Sequence, residues 1–150
     1  MLIPIVDKND EIITYKERNE ILHEDIYRIA SLWVENEEGE VLLTQRASSK
    51  THNPDKRTIA VNGTVEGKET YEENIIHETQ EEIGIKISNP LLLNKELASS
   101  GGWTHFIALF FVRIPKESPF VFDPQEVQAV KWAKKAEVEQ WLAEAPDDFV

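Results

Sequence analysis

Short apolar runs alternate with polar turns along this chain, and their spacing predicts strands in both halves, a helix between them and a second helix near the C-terminus. Residues 2–6, "LIPIV", a polar turn at Lys8-Asn9-Asp10 and "EIITY" at 11–15 predict a β-hairpin. No glycine follows Asp10, so the turn type stays open. "RIASLWVEN" from Arg28 and "VLLTQ" from Val41 are rich in β-formers, and the polar turn Glu37-Glu38-Gly39-Glu40 between them predicts a second hairpin. Residues 47–56 are polar, include Pro54 and predict an exposed loop. "TIAVNGT" from Thr58 predicts a short strand entering a glycine-containing loop over 62–68. Thr70 is placed to cap a helix over 71–83, with Glu72 and Glu73 in its first turn and Gly84 as its stop. Strands are predicted over 91–97, 103–114 and 127–132, and "KAEVEQWLAEA" predicts a final amphipathic helix.

Length and composition narrow the picture. A chain of 150 residues with 41% hydrophobic content can bury one sizeable core. No Pro/Gly/Ser-rich linker divides it, so residues 1–150 are expected to form a single domain, with 1–27 as an N-terminal hairpin extension within it. The net charge of −12 argues against nucleic acid or an anionic membrane surface as partner. The absence of cysteine excludes disulfides, thiolate nucleophiles and Cys-ligated zinc. The N-terminus lacks a signal-peptide layout, and the most apolar stretch, 106–114, is too short to span a bilayer and contains Arg113. A cytoplasmic protein is expected.

Residues 63–85, "GTVEGKETYEENIIHETQEEIGI", carry the candidate chemistry. With Glu78 set at 0° on a helix turning about 100° per residue, Glu82 falls at about 40° and Glu81 at about 300°. Ile76, Thr79 and Ile83 fall at about 160°, 100° and 140°, an opposed stripe suited to packing on a sheet. Three like charges on adjacent turns repel, and a hard cation such as Mg²⁺ relieves that repulsion with the oxygen ligands it prefers. The loop containing Gly63 and Gly67 could bring Glu69 to the same ion. Such a cluster suits metal-assisted attack on a phosphoryl group. Periodicity alone also fits a plainly solvated acidic face.

The same segment resembles the Nudix box, a glycine, five residues, a glutamate, seven residues and then Arg-Glu-aliphatic-any-Glu-Glu-any-Gly-aliphatic. Gly63, Glu69, Glu78, Glu81, Glu82, Gly84 and Ile85 match. The resemblance implies an α/β fold, a Nudix-type α/β/α sandwich around a mixed β-sheet. It also implies a hydrolase cutting a diphosphate linkage, with Glu78, Glu81 and Glu82 catalytic and, with Glu69, holding Mg²⁺ or alternatively Mn²⁺. His77 stands where the family has Arg, and Thr79 where it has an aliphatic residue. A histidine lacks the fixed fork and permanent charge of Arg, and its plain reading is a surface residue paired with Glu81 one turn on. Some relatives recruit a later acidic residue, for which Asp123 and Glu126 are candidates.

"RIASLWVENEEGEVLLTQRASSK" is similar to isopentenyl-diphosphate isomerases and the Nudix proteins near them. By position the resemblance makes Arg46 and Lys50 contacts for a substrate diphosphate. Isomerisation itself is not expected, because Asn62 replaces the cysteine that chemistry needs and Thr64 replaces a histidine. The leading expectation is therefore a diphosphatase for a nucleoside-diphosphate-linked or related small molecule. The alternatives are a weakly catalytic binding or sensor module, suggested by His77 and Thr79, and an interaction domain, suggested by the four tryptophans. Trp103, His105 and Phe106 are candidates for recognising the rest of the substrate, and homodimerisation is left open.

Overall fold

The computed structural model describes residues 1–59 and 61–150. Ala60, inside the predicted "TIAVNGT" strand, lies outside the described residues. In chain order the elements are β1 (Ile3–Val6), β2 (Ile12–Lys16), β3 (Ile26–Glu35), β4 (Val41–Arg46), β5 (Arg57–Ile59), β6 (Val61–Thr64), α1 (Tyr71–Ile83), β7 (Leu91–Ser100), β8 (Trp103–Arg113), β9 (Val127–Ala133) and α2 (Lys135–Glu144). Short 3₁₀ turns occupy Arg18–Glu20 and Pro146–Asp148.

β3 organises the sheet. It runs parallel to β8 from Ile26↔Thr104 to Glu35↔Arg113 and antiparallel to β6 from Ile29↔Thr64 to Leu32↔Val61. A nearly continuous apolar run is what a central strand covered on both faces requires. The predicted second hairpin is corrected accordingly. β3 and β4 meet only at Glu35↔Val41, and β4 pairs instead with β5 and β9.

Alternation along the strands separates two cores. Ala30, Leu32, Val34 and Leu42 face α1 and pack with its Ile75 and Ile83. Trp33, Val41 and Leu43, the intervening positions, pack with Val138 and Trp141 of α2. One helix covers each face of a mixed sheet, the α/β/α layering expected from the resemblance. No helix among the described residues is long and apolar enough to cross a membrane.

The N-terminal hairpin is built into this frame. β1 is buried at every position, and Val6 pairs with Ile26 at the start of β3. Its turn is closed by Asp7, whose carboxylate accepts from the amides of Asn9 and Glu11 at 2.8 and 3.1 Å. Asp10 takes the left-handed conformation at φ 61°, which Asp tolerates better than most residues.

Candidate active site

The centre forms where the β6 loop meets α1. Thr70 Oγ1 accepts from the Glu73 amide and Glu73 Oε1 accepts from the Thr70 amide, each at 3.1 Å, so a reciprocal capping box fixes the helix start. At the other end Gly84 adopts φ 71°. The segment that follows β8 satisfies the last turn, with the Val121 and Asp123 amides donating to the Ile83 and Glu82 carbonyls at 3.0 Å each.

Gly63 permits the closest approach of helix to sheet. A Cβ there would lie 2.4 Å from Glu78 Cγ and 2.7 Å from Asn74 Oδ1, so the glycine leaves room for the Glu78 side chain against β6. Buried Asn74, which the sequence reading passed over, donates to the Thr64 carbonyl at 3.0 Å and to Glu69 Oε1 at 3.2 Å. Glu69 also accepts from the Glu66 amide at 3.0 Å and lies 3.2 Å from His77 Nδ1. The Glu69 carboxylate is thus folded back over the first turns of α1. His77 pairs with Glu69 rather than with Glu81, a correction to the plain helical spacing. Thr79 is fully buried and donates its hydroxyl to the Ile75 carbonyl at 2.6 Å, which satisfies a polar group in an aliphatic position.

The helix face differs from the expected opposition of charged and apolar stripes. The buried residues are Asn74, Ile75, Thr79 and Ile83, and by the same geometry they span an arc from about 320° to about 140°. Glu78 and Glu82 lie inside that arc and are half-buried, whereas Glu81 points to solvent. Burial pushes the Glu78 carboxyl up to about 7, helped by the negative charges of Glu81, Glu66, Glu69 and Glu126. Burial pushes Glu82 higher, to about 9, helped by Glu78 and Glu126 and opposed by Lys50. Among the described residues no three acidic or imidazole side chains converge closely enough to enclose an ion as they stand. The donor chemistry nevertheless fits a hard cation: Glu78 and Glu82 share one half-buried locus, and the charges of neighbouring carboxylates push these two towards protonation.

Lys50 Nζ lies 2.7 Å from Glu126 Oε2, and the Ala47 amide donates to the Glu126 carbonyl at 3.0 Å. The loop over 47–56 is thereby brought to the carboxylates. Asp123 accepts from the Gln125 amide at 3.0 Å and so shapes its own turn, leaving Glu126 as the later-loop acid within electrostatic reach of Glu78 and Glu82. Arg46 and Lys50 are not presented together. The Arg46 guanidinium donates from Nε and Nη2 to the His52 carbonyl at 3.1 and 2.9 Å and closes its own loop. At the end of the β3–β8 ladder where the Arg28 carbonyl accepts from the Val65 amide, Trp103 stacks on His23 at 4.0 Å, and His105 lies 5.4 Å from the Tyr27 ring.

Residues 26–150 match the family model described as the NUDIX domain. A Nudix hydrolase of Deinococcus radiodurans is 24% identical over 133 residues, covering 87% of this chain and 77% of that protein. A prenyl-diphosphate phosphatase of Methanosarcina mazei is 28% identical over 152 residues, covering 99% and 88%. A crystal structure of DR0079 from Deinococcus radiodurans superposes with a TM-score of 0.78 at 22% identity, covering 97% and 90%, a likeness that concerns the fold alone.

Proposed function

The chain belongs to the Nudix family, and on that premise we propose that it hydrolyses a diphosphate linkage, converting X–P–O–P–Y and water into X–phosphate and Y–phosphate. The observation that carries this reading is the half-buried pair Glu78 and Glu82, both pushed well above the ordinary carboxylate range at the point where Gly63 opens the sheet. Such a pair is costly to keep without a counter-charge, and a divalent cation supplies one. Glu69, Glu78, Glu81 and Glu82 would hold Mg²⁺, with Mn²⁺ as the alternative, and Glu126 would be a further ligand. When bound, the cation would neutralise phosphate oxygens and lower the pKa of a water nucleophile.

The chain's own groups have separable tasks. Glu78, raised to about 7, can take a proton from water near neutral pH. Glu82, raised to about 9, would be free to do so only when a cation draws its proton off. Asn74 and His77 keep Glu69 over the helix. Lys50 brings a cation to the same locus, from which an incoming diphosphate can draw it away from Glu126. Arg46, whose guanidinium closes the loop over 47–56, would act on substrate chiefly by keeping Lys50 in place.

The Methanosarcina mazei relative makes prenyl diphosphates the first class to try beside nucleoside and dinucleotide diphosphates. Isomerisation remains unexpected. Asn62, in the position of the missing cysteine, accepts from Ser31 Oγ at 2.6 Å and donates to Thr58 Oγ1 at 3.2 Å, so its amide is spent on joining strands. The test is product identification from that panel with Mg²⁺ and with EDTA, for wild type and Glu82→Gln. Turnover that disappears with EDTA and falls at least about a hundredfold in the variant is expected. Metal-independent turnover, or turnover indifferent to Glu82, would sink the reading, and silence across the panel with ligand still bound would favour the sensor alternative.

A further inference from the structure

Of the two cations that sequence position assigns to a substrate diphosphate, Arg46 is held by a backbone carbonyl of its own loop. Lys50 alone of that pair faces the carboxylates, from the Glu82 and Glu126 side. On the opposite side the catalytic loop meets a different cation. Arg18 Nη2 lies 3.4 Å from Glu66 Oε1, and Glu66 is among the charges that raise Glu78. Arg18 belongs to the N-terminal extension, outside the residues that match the family model.

The extension is fastened at this point by contacts that do not involve Arg18. The Gly67 amide donates to the Leu2 carbonyl at 2.7 Å. Asp10 Oδ2 accepts from Tyr71 Oη at 2.8 Å, tying the hairpin turn to the first residue of α1. Lys16 pairs with Asp25 at 2.8 Å, and Asp25 also accepts from the Leu22 amide at 2.8 Å, bracing the segment on both sides of Arg18. The Arg18 guanidinium is therefore carried on a fixed backbone while its side chain remains 66% exposed. Its pair with Glu66 is long and solvated, a kind that contributes little and exchanges readily for a better anion. A diphosphate, which offers paired oxygens to the guanidinium fork and carries more charge than a carboxylate, is that better anion.

We propose that Arg18 is a substrate-contacting residue, which leaves Glu66 to grip the diphosphate from the side opposite Lys50, so that the N-terminal extension completes the site. The inference rests on the hydrolase reading above, and the test separates the two. Binding of methylenediphosphonate, which cannot be hydrolysed, is measured by calorimetry with Mg²⁺ present for wild type, Arg18→Ala, Arg18→Lys and Arg113→Ala. Arg113 sits at the opposite end of the β3–β8 ladder and controls for net charge. Arg18→Ala is expected to weaken binding about tenfold, Arg18→Lys less, and Arg113→Ala by under about twofold. With a turned-over substrate, KM rises in Arg18→Ala while kcat stays close to wild type, as for an interaction made equally in ground and transition states. Full affinity in Arg18→Ala, or an equal loss in Arg113→Ala, would overturn the inference alone. Failure of the wild type to bind would overturn the site reading and this inference with it.

Discussion

At Gly63 the absence of a side chain is what lets Glu78 reach its place, because a Cβ would lie 2.4 Å from Glu78 Cγ and 2.9 Å from Glu78 Cδ. Gly63→Ala is therefore expected to displace the carboxylate, lowering kcat by more than about tenfold and stability by about 1–3 kcal/mol. Steady-state kinetics and chemical denaturation of the variant check both figures. Glu82 carries the opposite balance of stability and function. Its carboxyl is held up to about 9 by burial and by Glu78 and Glu126, so at neutral pH without metal it is a strained group. Glu82→Gln should make the metal-free protein more stable, by about 1 kcal/mol, while removing turnover. A thermal melt in EDTA showing the variant less stable than wild type would contradict this. The box motif identified both residues, but one sequence could not show that they touch. Nor did any spacing rule single out Asn74, whose part follows from a loop carbonyl and Glu69 arriving at one amide.

At the scale of elements, α1 was legible to its ends because local chemistry sets it. Thr70, Glu73 and Gly84 act within a few residues of themselves, and capping does not depend on the rest of the fold. Thr70→Ala should cost about 1 kcal/mol of global stability, and more of the activity than a surface change elsewhere, since Glu69 precedes the cap directly. Hydrogen exchange at the first-turn amides, compared with those of α2, checks that the loss is local. Which arc of α1 is buried was less legible. Apolar periodicity placed the sheet side opposite the glutamates. The observed arc instead includes Asn74, because β6 presents a glycine where the helix crosses and polar side chains can enter. The second predicted hairpin is cut back to the single antiparallel pair Glu35↔Val41 for a similar reason. Neighbouring runs joined by a polar turn usually pair, but β3 has a longer parallel partner in β8.

For the molecule as a whole, the N-terminal hairpin and the matched domain share a buried polar junction. Asp10 accepts from Arg28 Nε at 2.7 Å and from Lys95 Nζ and Tyr71 Oη at 2.8 Å each. Burial alone would raise the Asp10 carboxyl, but the bonds from Lys95, Arg28 and Tyr71 outweigh it and the net shift is downward. A carboxyl depressed in the folded state stabilises the fold above its unfolded pKa, near 4, and that stability is lost as pH falls through the folded value. Acid unfolding below about pH 4 should therefore be shallower in Asp10→Asn, which should also be less stable at pH 7 by about 1–3 kcal/mol. Parallel denaturation curves for the two proteins across that range would refute the junction's role. Because Tyr71 opens α1, which carries Glu78 and Glu82, loosening the junction should also reduce activity.

The sequence by itself determined what local chemistry governs: the strand and helix succession, the caps of α1, the left-handed stop at Gly84 and the spacing of the box glutamates. Such features depend on residues a few positions apart, whose geometry the backbone repeats fix. The tertiary structure decided what depends on meetings between distant segments. It made β3 a central strand, set Glu78 and Glu82 in a half-buried arc, turned Arg46 onto His52 and Lys50 onto Glu126, and brought Arg18 to Glu66 across 48 residues of chain. Side-chain pairings of that kind are chosen by packing and by the cost of burying charge, and no single sequence records them.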